Sequence, residues 1–271
     1  MACQAGAGQI VEQGEMAIQG FAITVEVAPD WGVSGVQGTL SALPRLCERL
    51  AAHQARATFF VTAGMLEECG ATLRRSLAGH EVASHGLSHR PMDGLMELDA
   101  LAEMRDSRLR LEDYFGKAVR GFRAPFLRPA PGDWWRLLRQ AGYSYDSSMG
   151  SLTPSRLNIY PTLWKAEVHE GIVELPMTTL RGGWAPFDLA ALRQMHPLGM
   201  RLMHPEARMF SLRVHELASR KLARVLPLRR RLILSRGAGP RAWKLLEKVL
   251  SHYGARAMTC LEMAEQARAT R

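Results

Sequence analysis

From Phe21 onward, short runs of apolar and β-branched residues alternate with stretches whose apolar residues recur at helical spacing. Phe21-Ala-Ile-Thr-Val-Glu-Val27 has the length and composition of a strand and is broken by Pro29 and Gly32. Leu43, Leu46, Cys47 and Leu50 then share one helical face within Leu40–His53, and Ala57-Thr-Phe-Phe-Val-Thr62 returns as a nearly continuous apolar strand of the buried kind. The alternation continues through helix Met65–Ala78, strand Glu81–Ser84, helix Glu97–Tyr114, strand Gly121–Arg123 and helix Asp133–Ala141. Shorter candidate strands at Tyr143–Tyr145, Val173–Pro176 and Arg208–Leu212 precede a helix over Pro240–His252 and a strand near Arg256–Thr259. Repeated strand–helix alternation builds a parallel sheet. The expected class is therefore α/β, and its reactive groups should gather at the C-terminal edge of the sheet, where strands end and loops begin.

With 271 residues, 47% of them hydrophobic, the chain can bury a substantial core, and one α/β barrel reaches this size. The reading is a short extension over residues 1–19 followed by one domain over 20–271. No basic n-region with an apolar run opens the chain and no apolar stretch is long enough to span a bilayer, so neither a signal peptide nor a membrane span is expected. Cys3, Cys47, Cys69 and Cys260 are scattered without a CxxC pair, which argues against a disulfide framework or a thiolate cluster and for reduced thiols in a cytoplasm. The formal charge is +9, and the excess is concentrated: Arg208 to Lys248 holds twelve arginines and lysines against Glu216 and Glu247 alone. A basic helical segment over about 213–248 fits a phosphate-bearing glycan, a lipid-linked substrate or the inner face of a membrane, and equally fits a solvated helix face. No nucleic-acid module accompanies it, which argues against nucleic acid as the partner.

The polar residues that follow the strands are Glu26 and Asp30, His85 and His89, Arg123, Asp146 and His215. In Ser84-His85-Gly-Leu-Ser-His89 two imidazoles stand four residues apart, a spacing that lets both reach one metal ion, although two unrelated histidines fit it as well. The surrounding residues narrow the choice. Gly79-His-Glu-Val-Ala83 precedes the pair, Pro91 follows it, and the strand before reads Ala57-Thr-Phe-Phe-Val61. Together these resemble the polysaccharide deacetylase (NodB-homology) family, known also as carbohydrate esterase family 4. The likeness extends from about Phe21 to Ala267.

The resemblance implies a distorted (β/α) barrel and assigns roles. His85 and His89 would bind a divalent metal. Arg123, in Arg123-Ala-Pro-Phe126, would orient a catalytic carboxylate. Asp146 would tune a catalytic histidine, and His215 would be the general acid. The first motif departs from the family pattern, in which two nearby acids act as base and metal ligand. Here the segment reads Thr24-Val-Glu-Val-Ala-Pro-Asp30, so Glu26 stands for the base and Asp30, displaced by Ala28-Pro29, for the ligand. The spacing from Leu212 to His215 is also one residue longer than the family's usual LxH.

Amide hydrolysis needs a nucleophile at neutral pH, a sink for the oxyanion and an acid for the leaving amine. Two histidines and a carboxylate on zinc, with cobalt, nickel or manganese tolerated, leave positions open for water and the acyl oxygen. The expected reaction is hydrolysis of an N-acyl group, N-acetyl foremost, on an amino sugar. Trp31, Phe126 and Trp184 are the expected sugar contacts. Two alternatives stay open: a deformylase or other amide hydrolase of the same family, and an inactive relative that only binds glycan.

Overall fold

The computed structural model of the chain describes residues 20–32, 35–149, 166–180, 185–195, 201 and 207–270. The expected extension over 1–19 and Trp184 lie outside them. The alternation reads out as β1 (Phe21–Val27), α1 (Gln37–Ala52), β2 (Thr58–Val61), α2 (Leu66–Ser76), β3 (Glu81–Ser84), α3 (Glu97–Phe115), β4 (Gly121–Phe122), α4 (Trp134–Ala141) and β5 (Tyr145–Asp146). A hairpin of β6 (Glu167–His169) and β7 (Ile172–Glu174) follows, then α5 (Leu189–Gln194), β8 (Met209–Arg213), α6 (Leu228–Leu234), α7 (Pro240–Tyr253), β9 (Ala257–Met258) and α8 (Cys260–Ala269). One sheet contains all nine strands in the order β6-β7-β5-β4-β3-β2-β1-β8, with β9 also paired to β1. Every pairing is parallel except β6 with β7. This is a curled, mostly parallel α/β barrel sheet, and among the described residues its path does not close from β6 back to β8.

β1 is buried along its whole length because helices cover one side and side chains fill the lumen on the other. Ile23, Val25 and Val27 join the main core with Leu43, Leu46 and Leu50 of α1, whereas Ala22, with Phe60 and Tyr145, belongs to a second cluster under α8. Thr24 and Glu26 are the polar members of β1. Both are reached by Arg123, whose side chain is fully buried in the lumen. The register places Glu26 beside Phe60 of β2 on one side and Arg213 of β8 on the other. This pairing brings a base-rich segment far along the chain against the acid of the first strand.

Two expectations change. The strand expected at Gly121–Arg123 ends at Phe122, although the Arg123 amide still donates to the Ser84 carbonyl of β3 at 3.0 Å while its side chain turns inward. The basic segment over 213–248 is not a continuous helix. It breaks into turns over Val214–Glu216 and Arg220–Val225, the short α6 and then α7. The interruptions have ordinary causes. Ser219 caps the second turn, Pro227 precedes α6, Gly237 and Gly239 take positive φ, and Pro240 opens α7 where a missing amide proton costs nothing.

Candidate active site

Glu26, at the end of β1, lies on the floor of a 380 Å³ cleft whose walls include Trp31, His89, Phe126, Arg213, His215 and Leu234. The backbone marks the same place. Six described non-glycine residues have positive φ, and four of them, Trp31, His89, Phe126 and Leu127, line this cleft. Side chains tolerate that conformation only where surrounding structure imposes it, and such strain collects at functional sites.

Four basic groups surround the Glu26 carboxylate. Arg123 Nη1 is 3.4 Å from Oε1, Arg213 Nε is 3.2 Å from Oε2, and His85 Nε2 is 4.0 Å from Oε2. Burial by itself would raise the pKa of Glu26, but Arg213 and Arg123 outweigh it, His85 and His89 add when charged, and the value falls to about 2. Arg123 is itself held as a strut. Its Nε and Nη2 donate to the Ser147 carbonyl and hydroxyl, its Nη1 to Thr24 Oγ1 and Ser211 Oγ, and its guanidinium lies 4.2 Å over the Phe60 ring.

His85 ends β3. Its Nδ1 donates to the Arg123 carbonyl at 2.8 Å, which leaves a lone pair on Nε2, a buried atom with no hydrogen-bond partner. The His89 ring lies 5.1 Å from that of His85 and 4.6 Å from Phe126. The loop that carries both imidazoles is tied down by Glu103 of α3, a buried acid. Glu103 accepts from the Leu87 and Ser88 amides, the Ser88 hydroxyl and Arg90. Burial lowers the pKa of all three cleft histidines, His89 to about 3 and His215 to about 4. At neutral pH the cleft therefore presents an ionised carboxylate, neutral imidazoles and the fixed charge of Arg213.

Asp30 does not join them. The Ala28-Pro29 step carries it into a turn over Asp30–Gly32, where its Oδ2 accepts the Gly38 amide at the start of α1 at 2.5 Å. Gly38 is needed there, because a Cβ would stand 2.6 Å from Asp30 Oδ1 and 2.9 Å from His215 Cβ. The expected pairing of Asp146 with His215 is also replaced. Asp146 Oδ2 accepts from Trp134 Nε1 at 2.8 Å and Oδ1 from Ser148 Oγ at 2.6 Å, and Ser148 in turn accepts the Ala124 amide. Asp146 thus props the Arg123-Ala-Pro-Phe126 turn from behind. The charged groups around His215 are Glu216, Arg213, Arg193 and Glu26.

Trp31 is only 8% exposed and its ring packs 4.6 Å from His215, so it walls the cleft and positions that histidine. Phe126, 50% exposed beside His89, is the aromatic face open to a ligand. Four contributors escaped the reading of the sequence: Arg213, Glu103, Glu216 and Arg193. The last two form a buried ion pair at 2.8 Å in the lining of the cleft. The basic strip concealed Arg213 among solvated cations, and nothing local distinguishes Arg193 or Glu103 from other charged residues on helices.

A divalent ion, implied by the resemblance, has two fitting donors here. The unpartnered Nε2 of His85 and the neighbouring ring of His89 suit one. Among the described residues no third histidine, cysteine, aspartate or glutamate completes a metal-holding group, and the nearest carboxylate is engaged by two arginines.

The family model for polysaccharide deacetylases matches residues 22–145, the segment that carries Glu26, His85, His89 and Arg123. No curated protein matches the chain by sequence. Among solved structures, a protein from Mycobacterium smegmatis assigned to the polysaccharide deacetylases superposes with a TM-score of 0.60 at 19% identity, over 92% of this chain and 91% of that one. Puue allantoinase superposes with a TM-score of 0.62 at 13% identity, over 93% and 90%. A CE4 family pseudoenzyme from Bacillus anthracis gives 0.53 at 17% identity, over 92% of this chain and 66% of that one. These likenesses carry the fold, and the segment over residues 22–145 is similar to the polysaccharide deacetylases.

Proposed function

We propose that the chain hydrolyses an N-acyl group, acetyl foremost, from an amino sugar bearing a phosphate or a lipid link. The observation that supports this reading most is the meeting of Glu26, His85, His89 and His215 at one strained cleft beside an exposed aromatic ring. Phe126 offers its face to a sugar, and Arg213 and the basic rim favour an anionic one. Glu26 stays ionised in the cleft and is the group that can take a proton from water. His215, held by Trp31, carries the proton to the departing nitrogen. Its low basicity keeps it neutral at rest and makes it a ready donor once charged. Arg123 fixes the Glu26 carboxylate, and Arg213 sits within reach of charge developing beside it. Zinc, or cobalt, nickel or manganese, held by His85 and His89 would supply a Lewis acid for the acyl oxygen.

A second reading is a glycan-binding relative without turnover. It is favoured by the two-arginine clamp on Glu26 and by the engagement of Asp30 with the Gly38 amide. One experiment separates the two. Bound metal and the release of acetate or formate are measured together across monomeric, polymeric and lipid-linked amino sugars. Release that disappears in Glu26→Gln supports hydrolysis. Binding without release by metal-loaded protein on every amide-bearing sugar supports the second reading.

A further inference from the structure

Residues 217–246 contain nine arginines and lysines and no acidic residue. Within them α6 is unusual, because none of its residues is buried. Leu228, Leu232 and Ile233 are 59%, 59% and 60% exposed, and Leu234 is also open. Arg224, Arg229, Arg230 and Arg236 stand exposed around them and form no ion pair among the described residues. A seven-residue helix gains little from its own hydrogen bonds, and most helical stability comes from packing a face. This one packs no face of its own, yet it is anchored at both ends. Leu226 and Ala238 close against Trp31, and the buried Arg193 donates to the Leu234 and Arg236 carbonyls. Leu234 also lines the cleft, so the helix forms part of the cleft's rim.

We propose that α6 docks the chain on an anionic lipid surface, its leucines and isoleucine entering the headgroup boundary while the arginines pair with lipid phosphates. Apolar residues interleaved with arginines are the chemistry of an interfacial helix, in which burial and surface charge act together. A second copy of the chain is disfavoured as the covering partner, because a symmetric contact would bring two uncompensated cationic surfaces together. Nucleic acid would explain the arginines but leave the exposed aliphatic residues without a role. Through Leu234 the surface and the cleft are contiguous, so a docked molecule presents the cleft's mouth to substrate anchored in the membrane. The docking proposal does not depend on the hydrolytic reading, since it is read by binding alone.

The test is sedimentation of the full chain with vesicles of phosphatidylcholine alone and of phosphatidylcholine mixed with phosphatidylglycerol, at low and high salt. The wild type should bind the anionic vesicles and ignore the neutral ones. Arg224→Gln, Arg229→Gln and Arg230→Gln combined should weaken partition more than about tenfold. Leu228→Ser, Leu232→Ser and Ile233→Ser combined should keep low-salt attraction but lose the binding that persists at high salt. Because α6 buries nothing, both variants should unfold at the wild-type temperature, which excludes misfolding as the cause. Equal binding to neutral vesicles, no binding to anionic ones, or an arginine variant that binds as the wild type does would overturn the proposal. So would self-association of the wild type, abolished in the leucine variant, without vesicle binding.

Discussion

Glu26 is a carboxylate held by two guanidiniums, and the consequences of changing it are separable from those of changing its neighbours. Glu26→Gln removes the charge and keeps the shape, so the fold and any metal on His85 and His89 should remain while turnover falls about a hundredfold or more. Steady-state kinetics beside metal analysis checks this, and unchanged turnover would remove Glu26 from the base role. Asp30 makes the opposite prediction. Its carboxylate serves the amide of Gly38 at the start of α1, so Asp30→Ala should cost roughly 1–2 kcal/mol of stability by leaving buried helix-terminal donors unpaired. Metal content should not change. Loss of metal without loss of stability in that variant would restore Asp30 to the ligand set, whereas His85→Ala and His89→Ala should each lose metal.

The elements that were legible in the sequence are those whose signals are local. β1 and β2 are short, largely apolar runs, β3 is a four-residue strand that follows Gly79, and the two histidines sit in the loop that follows β3 directly. The β6–β7 hairpin was seen only as its second strand, because Glu167-Val-His169 is too short and polar to show a period. The partner of Arg213 depends on which strands lie side by side, and that information is tertiary, whereas Asp30 and Asp146 are held by Gly38, Ser148 and Trp134, which lie near them along the chain. β8 lies beside β1, which sets Arg213 on Glu26, although 186 positions separate them. The loop of His85 and His89 shows the same dependence through α3. Glu103 gathers the Leu87 and Ser88 amides and Arg90, and these contacts outweigh the effect of burial to hold its pKa below the ordinary 4.5. Glu103→Gln keeps the size but weakens those charge-assisted bonds. It should loosen His89, with metal affinity down about tenfold and the fold retained. Isothermal titration with zinc checks this, and an unchanged affinity would mean that the loop holds itself.

For the whole molecule, buried acids contribute to the dependence of stability on pH beside the buried cleft histidines. Glu174 of β7 and Asp146 of β5 meet in the core, where burial and the adjacent Asp146 charge hold the Glu174 carboxyl well above its ordinary 4.5. Its Oε1 accepts the Met149 amide, while Oε2 finds no donor. That is the expected state of a protonated oxygen facing Asp146, with one proton shared between two carboxyls. A folded-state pKa above the unfolded one means that the native chain keeps a proton the unfolded chain has released. Above about 4.5 the native state therefore binds more protons, and stability falls as pH rises toward the folded value. Gln at position 174 reproduces the protonated form, accepting from Met149 and donating to Asp146, but it has no proton to lose. Glu174→Gln should match the wild type in acid and become progressively more stable than it as pH rises. Urea midpoints measured from about pH 4 to pH 9 read the difference directly. Parallel curves across that range would show that Glu174 is ionised in the native core and that the pair is held by some group other than a shared proton.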